Sequence, residues 1–290
     1  MDWLFLAEVL LAGLGSGALF ALTGLAFVLI YKATRVVNLA IGEFLMLGAY
    51  AFFGFSAGLP IWSAVVLALL AGAALGAFVE RAMIRPMLGE SPISVFMVTI
   101  GIGSMLIGLV ELVWTADPRR LPEFMPKAPV FVGEAYVSPK VAIAFAVAFA
   151  VILVFLLLFR FWRGGVALRA TATDQAAAYS CGIDVGRVFS LSWTLAGMTA
   201  AAAGILVGAI GGISSAMGVF GLSVLVVVIV GGLDSVAGAL IAGLLIGVVE
   251  ALAGTFLGGE YKLLATFTLL VTVLMIRPYG LFGTAEIERL

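Results

Sequence analysis

The chain has 290 residues, 64% hydrophobic and 11% charged, with a mean hydropathy of +1.27 and a net charge of -1. Soluble domains are nearer half apolar and a quarter charged, so the excess apolar surface has to meet lipid. One cysteine and no histidine exclude a disulfide framework, a zinc site and His-based acid–base or nucleophilic chemistry, and the near-neutral charge argues against a nucleic-acid surface.

In chain order, nine hydrophobic segments occur, at 3–30, 36–56, 61–80, 92–115, 139–159, 188–212, 216–232, 236–257 and 261–276. Most reach the ~20 residues that a helical span requires. They are continuous apolar runs without strand-like alternation, which points to helices and not to an outer-membrane barrel. The fold class read from this is all-α, a polytopic membrane helix bundle of eight or nine transmembrane segments in one domain, 1–290. The shortest segments, 216–232 and 261–276, read as tilted or partly re-entrant. Whether 36–56, with Asn38 and Glu43, crosses completely is left open. The first segment begins MDWLFLAEVL; without a basic n-region or an A-x-A site it reads as a retained span.

If all nine segments cross from an outside N-terminus, ten basic residues fall inside: Lys32, Arg35, Arg81, Arg85, Arg160, Arg163, Arg169, Arg187, Arg277 and Arg289. Five fall outside: Arg119, Arg120, Lys127, Lys140 and Lys262. That is the sense of the positive-inside rule, with the C-terminus cytoplasmic. Trp3, Trp62, Trp114 and Tyr261 then sit at outer ends, and Tyr31, Trp162 and Tyr279 at inner ends. The segment 116–138 is proline-rich and reads as an ordered, semi-extended external loop.

Polar groups inside spans come next. Asn38, Gly42 and Glu43 interrupt an apolar run. A carboxylate at the centre of a span costs roughly 2.5–3.5 kcal/mol on insertion scales and usually faces a bundle interior or a water-filled path. Asn38 and Glu43 are about 140° apart on a helix, so they share no narrow stripe unless the helix breaks at Gly42. They either line a path or hydrogen-bond between helices. Glu250 is the deeper of the other two acidic residues; Glu111 lies near the outer interface. At Gly231-Gly232-Leu233-Asp234-Ser235 the glycines end one helix, and Asp234 or Ser235 caps the next. Small-residue pairs such as Gly72/Gly76 and Gly243/Gly247 fit close helix packing. AGAALGAFVE (71–80) echoes AGLLIGVVE (242–250) with one residue deleted.

The stretch 160–187 is the long polar, basic-flanked interruption. Thr173 or Asp174 can cap a short helix over Gln175 to Cys181, and Gly182 can close it. About two turns of helix are not stable alone in water, so this one must lie against a membrane or another protein. The lone cysteine, Cys181, reads as a small helix filler. The chain has no P-loop: its lysines follow Tyr31, Pro126, Pro139 and Tyr261, never a glycine.

Together, GLAFVLIYKATRVVNLAIGEFLMLGAY (24–50), ERAMIRPMLGES (80–91), ALRATATDQAAAYSCGIDVGRV (167–188), GGLDSVAGALIAGLLIGVVE (231–250) and RPYGLFG (277–283) resemble the permease family of ABC importers for branched-chain amino acids, over essentially the whole chain. The resemblance implies a non-enzymatic subunit of the bacterial inner membrane. It implies a second homologous permease, or a copy of this chain, as the other half of the path. It also implies cytoplasmic ATPase subunits that hold ATP and Mg, and a periplasmic substrate-binding protein. No cofactor is expected on this chain. Such permeases carry an E-A-A-x-x-x-G cytoplasmic loop that seats on the ATPase; here Ala176, Ala177, Ala178 and Gly182 correspond, with alanine in place of the glutamate. The docking set implied is Arg169, Asp174, Gln175, Ala176, Ala177, Ala178 and Gly182, with Ala packing and the flanking arginines, Arg169 and Arg187, expected to dominate the contact. The path set is Asn38, Gly42, Glu43 and Glu250. Related permeases share these motifs, so urea or short amides remain an alternative solute. A self-contained secondary transporter or channel is a second alternative, and a membrane enzyme or scaffold has little support.

Overall fold

Prolines and short polar side chains fix where the helices begin. The computed structural model describes residues 3–284; Arg289 lies outside them. The helices are α1 (Trp3–Thr34), α2 (Ile41–Ser56), α3 (Ile61–Val79), α4 (Pro92–Trp114), α5 (Pro139–Phe161), α6 (Arg163–Thr173), α7 (Gln175–Ser180), α8 (Val185–Gly211), α9 (Phe220–Gly231), α10 (Val236–Phe256) and α11 (Lys262–Ile276). Pro92 and Pro139 open α4 and α5, where a missing N–H costs nothing. Ser91, Asp184 and Ser235 accept from the first-turn amides of α4, α8 and α10. Of the two caps that the sequence offers for α10, Ser235 is used; Asp234 instead accepts from Thr284. At Gly212 (φ +86) and Gly232 (φ +107) the chain leaves α8 and α9 in a conformation that suits glycine.

The chain is a multi-pass membrane protein. Seven helices among the described residues are long and apolar enough to span, and α2 and the Ser215–Gly231 stretch are shorter. The nine apolar segments therefore divide into seven helices of spanning length and two short elements. α1 is the central helix, with 89% of its most apolar window buried. α11 is peripheral, at 6%.

Glycines set the closest helix contacts. A Cβ on Gly247 would strike the backbone of Gly17, and one on Gly243 would sit 2.8 Å from Ala21 Cα, so α1 and α10 touch backbone to backbone. Gly72 and Gly76 of α3 do the same against Gly197 and Trp193 of α8. Ala201 of α8 lies against both Gly48 of α2 and Gly72 of α3. The two echoing segments are thus equivalent packing stripes, each pressed on a different partner.

The helix ends group on two faces. On one, Tyr136 N–H donates to Glu8 at 2.9 Å, Arg119 pairs with Ile213, and Trp114 lies under Gly54. The segment 116–138 closes there as a hairpin, β1 (Val130–Val132) antiparallel to β2 (Ala135–Val137), turning at Gly133 (φ +65). On the other face, Gln175 reaches the Ala33 carbonyl, and Leu281 and Phe282 N–H donate to Val230 and Gly231.

Candidate functional site

α2 and α9 both begin inside the bundle, and their first turns meet. Before Ile41 the chain is non-helical, with the Asn38 side chain accepting from Ala40 N–H at 3.0 Å. The helix break thus falls ahead of Ile41, not at Gly42, and Asn38 is not on the helix. The α9 side is entered by a 3-10 turn, Ser215–Val219. Phe220 then stacks on Phe20 of α1 at 4.6 Å between ring centroids. A Cβ on Gly42 would strike the Gly218 carbonyl and lie 2.9 Å from Gly221 N.

Glu43 stands in the first turn of α2, between Gly103 of α4 and Gly218. Glycine on both sides leaves room for its carboxylate. Glu43 Oε2 is buried and, among the described residues, has no hydrogen-bond partner; Asn38 Nδ2 shares this condition. The carboxylate borders a cleft of about 310 Å³ whose lining includes Leu39, Thr99, Ser104, Ser215 and Leu222. Thr99 Oγ1 accepts from Leu39 N–H at 3.3 Å and fixes the entry to α2 against α4. Chemically the cleft offers one carboxylate, a few hydroxyls and apolar walls, with no nucleophile–base pair.

Glu250 is elsewhere. Its Oε1 accepts from Ser223 Oγ of α9 at 3.1 Å and Thr266 Oγ1 of α11 at 2.9 Å. It clamps three helices and does not line the Glu43 cleft. Of the path set, the structure brings Glu43 alone to the lining of the cleft; Gly42 packs on the Gly218 and Gly221 backbone, Asn38 precedes α2, and Glu250 is set apart.

The polar stretch forms two helices, α6 and α7, where the sequence suggests one. Asp174, not Thr173, caps α7, accepting from Ala177 N–H at 2.9 Å. Gly182 closes it at φ +83, with its N–H on Tyr179 O and Ile183 N–H on Ala178 O, a Schellman ending. Ala176 and Ala177 are exposed, Ala178 is buried, and Tyr179 projects at 73% exposure. Gln175 turns inward to the Ala33 carbonyl at 3.2 Å. Arg169 also turns inward: it donates to the carbonyls of Phe159 and Arg160 and lies over the Phe159 ring, completing the end of α5. Arg187 pairs with Asp184 at 2.9 Å on the surface.

Sequence reasoning missed Tyr179, Gly218 and a network joining the end of α3 to the start of α8. Tyr179 was legible as the one large side chain in an Ala-rich turn. Gly218 lacked a sequence signal, because its partner Gly42 is remote in the chain.

The family model for the branched-chain amino acid transport system / permease component matches residues 9–276. The chain is 30% identical, over 99% of both sequences, to the high-affinity branched-chain amino acid transport system permease protein LivH of Escherichia coli (strain K12). It is 30% identical to BraD of Pseudomonas aeruginosa over 97% of each, and 28% identical to a probable LivH of Methanocaldococcus jannaschii over 91% of this chain and 89% of that one. A solved chain of PsaBC from Streptococcus pneumoniae in complex with Fab shares the fold, with a TM-score of 0.51 and 15% identity, over 97% of this chain and 95% of that one. The seven-span bundle and the match over almost its whole length place this chain in the branched-chain amino acid transport system permease family.

Proposed function

We propose that this chain is the membrane-spanning half of an ATP-driven importer that moves branched-chain amino acids. It works with a second permease, homologous or a copy, in the bacterial inner membrane. The observation that carries the reading is the family match over residues 9–276. It favours branched-chain amino acids over urea or short amides, and an ABC subunit over a self-contained transporter.

The face bearing α6 and α7 is the cytoplasmic one. Among the described residues it takes nine of the inside basic positions against five on the hairpin face, as the positive-inside rule expects. α7 is the dock for an ATPase subunit, which holds ATP and Mg. Its contact surface is the exposed alanines and Tyr179, with Asp174 and Gly182 setting the helix ends. Arg169 and Gln175 hold the segment to the bundle through the Phe159 and Ala33 carbonyls. The hairpin face receives the substrate-binding protein.

The path passes the α2–α9 junction. Its walls suit an aliphatic side chain, and the Glu43 carboxylate suits an ammonium group. Closure of the ATPases moves α7, and packed helices move with it as rigid bodies. The test is purification of the chain from native membranes. The natural chain brings an ATPase with it, and Tyr179→Asp loses it while remaining inserted. Recovery of the ATPase with the variant at the natural ratio overturns the dock.

A further inference from the structure

The inner end of α3 departs from α-helical geometry. Glu80–Ile84 form a π turn, and Arg85–Met87 a 3-10 turn. The wider turn brings Glu80 and Arg85, five residues apart, together on one side. Arg85 donates to both Glu80 oxygens, at 2.9 and 3.2 Å. It also donates to the Gly186 carbonyl at 2.9 Å and to Ser190 Oγ at 2.8 Å. Ser190 Oγ lies 2.8 Å from Glu80 Oε2. Glu80 is 1% exposed. This closed network ties α3 to the first turns of α8, directly after the α7 segment.

The position matters more than the energy. α3, α8 and α2 are one glycine-packed unit, joined at Ala201, and α2 carries Glu43. A π turn is uncommon and occurs often at functional places. A fork that binds a carboxylate, a hydroxyl and a carbonyl together fixes both direction and register, which a lysine does not do.

We propose that Glu80, Arg85 and Ser190 form a coupling latch. They are positioning residues that make the α3–α8–α2 unit follow α7, and so convert ATPase closure into movement at the Glu43 cleft. The inference rests on the reading of α7 as the ATPase dock.

The experiment uses the whole complex in lipid nanodiscs and proteoliposomes, with leucine-loaded binding protein. It compares Arg85→Lys, Glu80→Gln and Ser190→Ala with the natural chain. Three quantities are read: ATP turnover, leucine moved per ATP, and the thermal unfolding midpoint. Arg85→Lys and Glu80→Gln lower leucine per ATP about tenfold, within the span of ordinary coupling free energies. Basal ATP turnover stays within about twofold, as coupling need not be shared by the rate of hydrolysis. Ser190→Ala, which keeps the ion pair, gives a smaller loss in the same ratio and decides the matter if the other variants fail to assemble. An unchanged ratio overturns the latch. So does a loss of turnover and uptake in equal proportion together with a lowered midpoint, which marks structural fastening alone. Failure of the dock itself is separate: it appears as ATPase retained by Tyr179→Asp.

Discussion

Gly42→Ala tests the junction at the centre of the molecule. The added methyl would meet the Gly218 carbonyl, Gly221 N at 2.9 Å and Gly221 Cα at 3.0 Å. All three are backbone atoms, so no side chain can rotate away. Overpacking costs about 1–3 kcal/mol, and the upper end applies where backbone has to move. Alanine recovers about 0.5–1 kcal/mol of helix preference over glycine. The net loss is about 2 kcal/mol, near thirtyfold in an equilibrium constant. Gly101→Ala, on α4 with open space around it, provides the control and should be neutral or slightly stabilising. Thermal unfolding of the purified complex and leucine uptake in proteoliposomes read both variants. The reasoning fails if Gly42→Ala and Gly101→Ala behave alike in stability and uptake.

The two membrane carboxylates should separate. Glu43→Gln lowers uptake at least severalfold with little change in unfolding, whereas Glu250→Leu strands two buried hydroxyls and destabilises by about 1–3 kcal/mol for each; equal losses in both assays for both variants would contradict this. Cys181 is exposed beside α7, so a membrane-impermeant maleimide should label it in inverted vesicles washed free of ATPase and not in intact cells. Labelling from the outside would reverse the topology.

What the sequence made legible follows from how local each signal is. Apolar runs of about 20 residues have one physical solution in lipid, so the long helices and their ends were readable within a few residues. Asp174 and Gly182 bracket α7 because both caps act within one turn. The short elements were readable only as doubt: Asn38 and Glu43 flagged α2, but the entry at Val36–Ala40 depends on Thr99, sixty residues on. Arg169 shows a different limit. A basic residue flanking a polar helix looks the same in sequence whether it meets a partner or caps its own chain, as it does at Phe159. The Glu80–Arg85 pair was hidden by its spacing: five residues is wrong for an α-helix, where three or four place side chains together, and only the π turn makes it right.

Magnitudes separate the roles of the carboxylates. Glu80 is answered by an arginine fork and a hydroxyl. Glu250 accepts from two hydroxyls, and hydrogen bonds to charged groups are worth about 1.5–3 kcal/mol each, enough to offset the ~2.5–3.5 kcal/mol of placing an acid in a span. For Glu43 the favourable term is its place in the first turn of α2, worth about 0.3–2 kcal/mol against the same cost. The balance is a net penalty of roughly 0.5–3 kcal/mol, for a carboxylate set between Gly103 and Gly218. Glutamine or leucine there would fold at least as well. If that carboxylate is kept for the transported solute, Glu43→Leu should leave the unfolding midpoint of the purified complex unchanged or raised while leucine uptake falls; a lowered midpoint would show that the acid serves the fold.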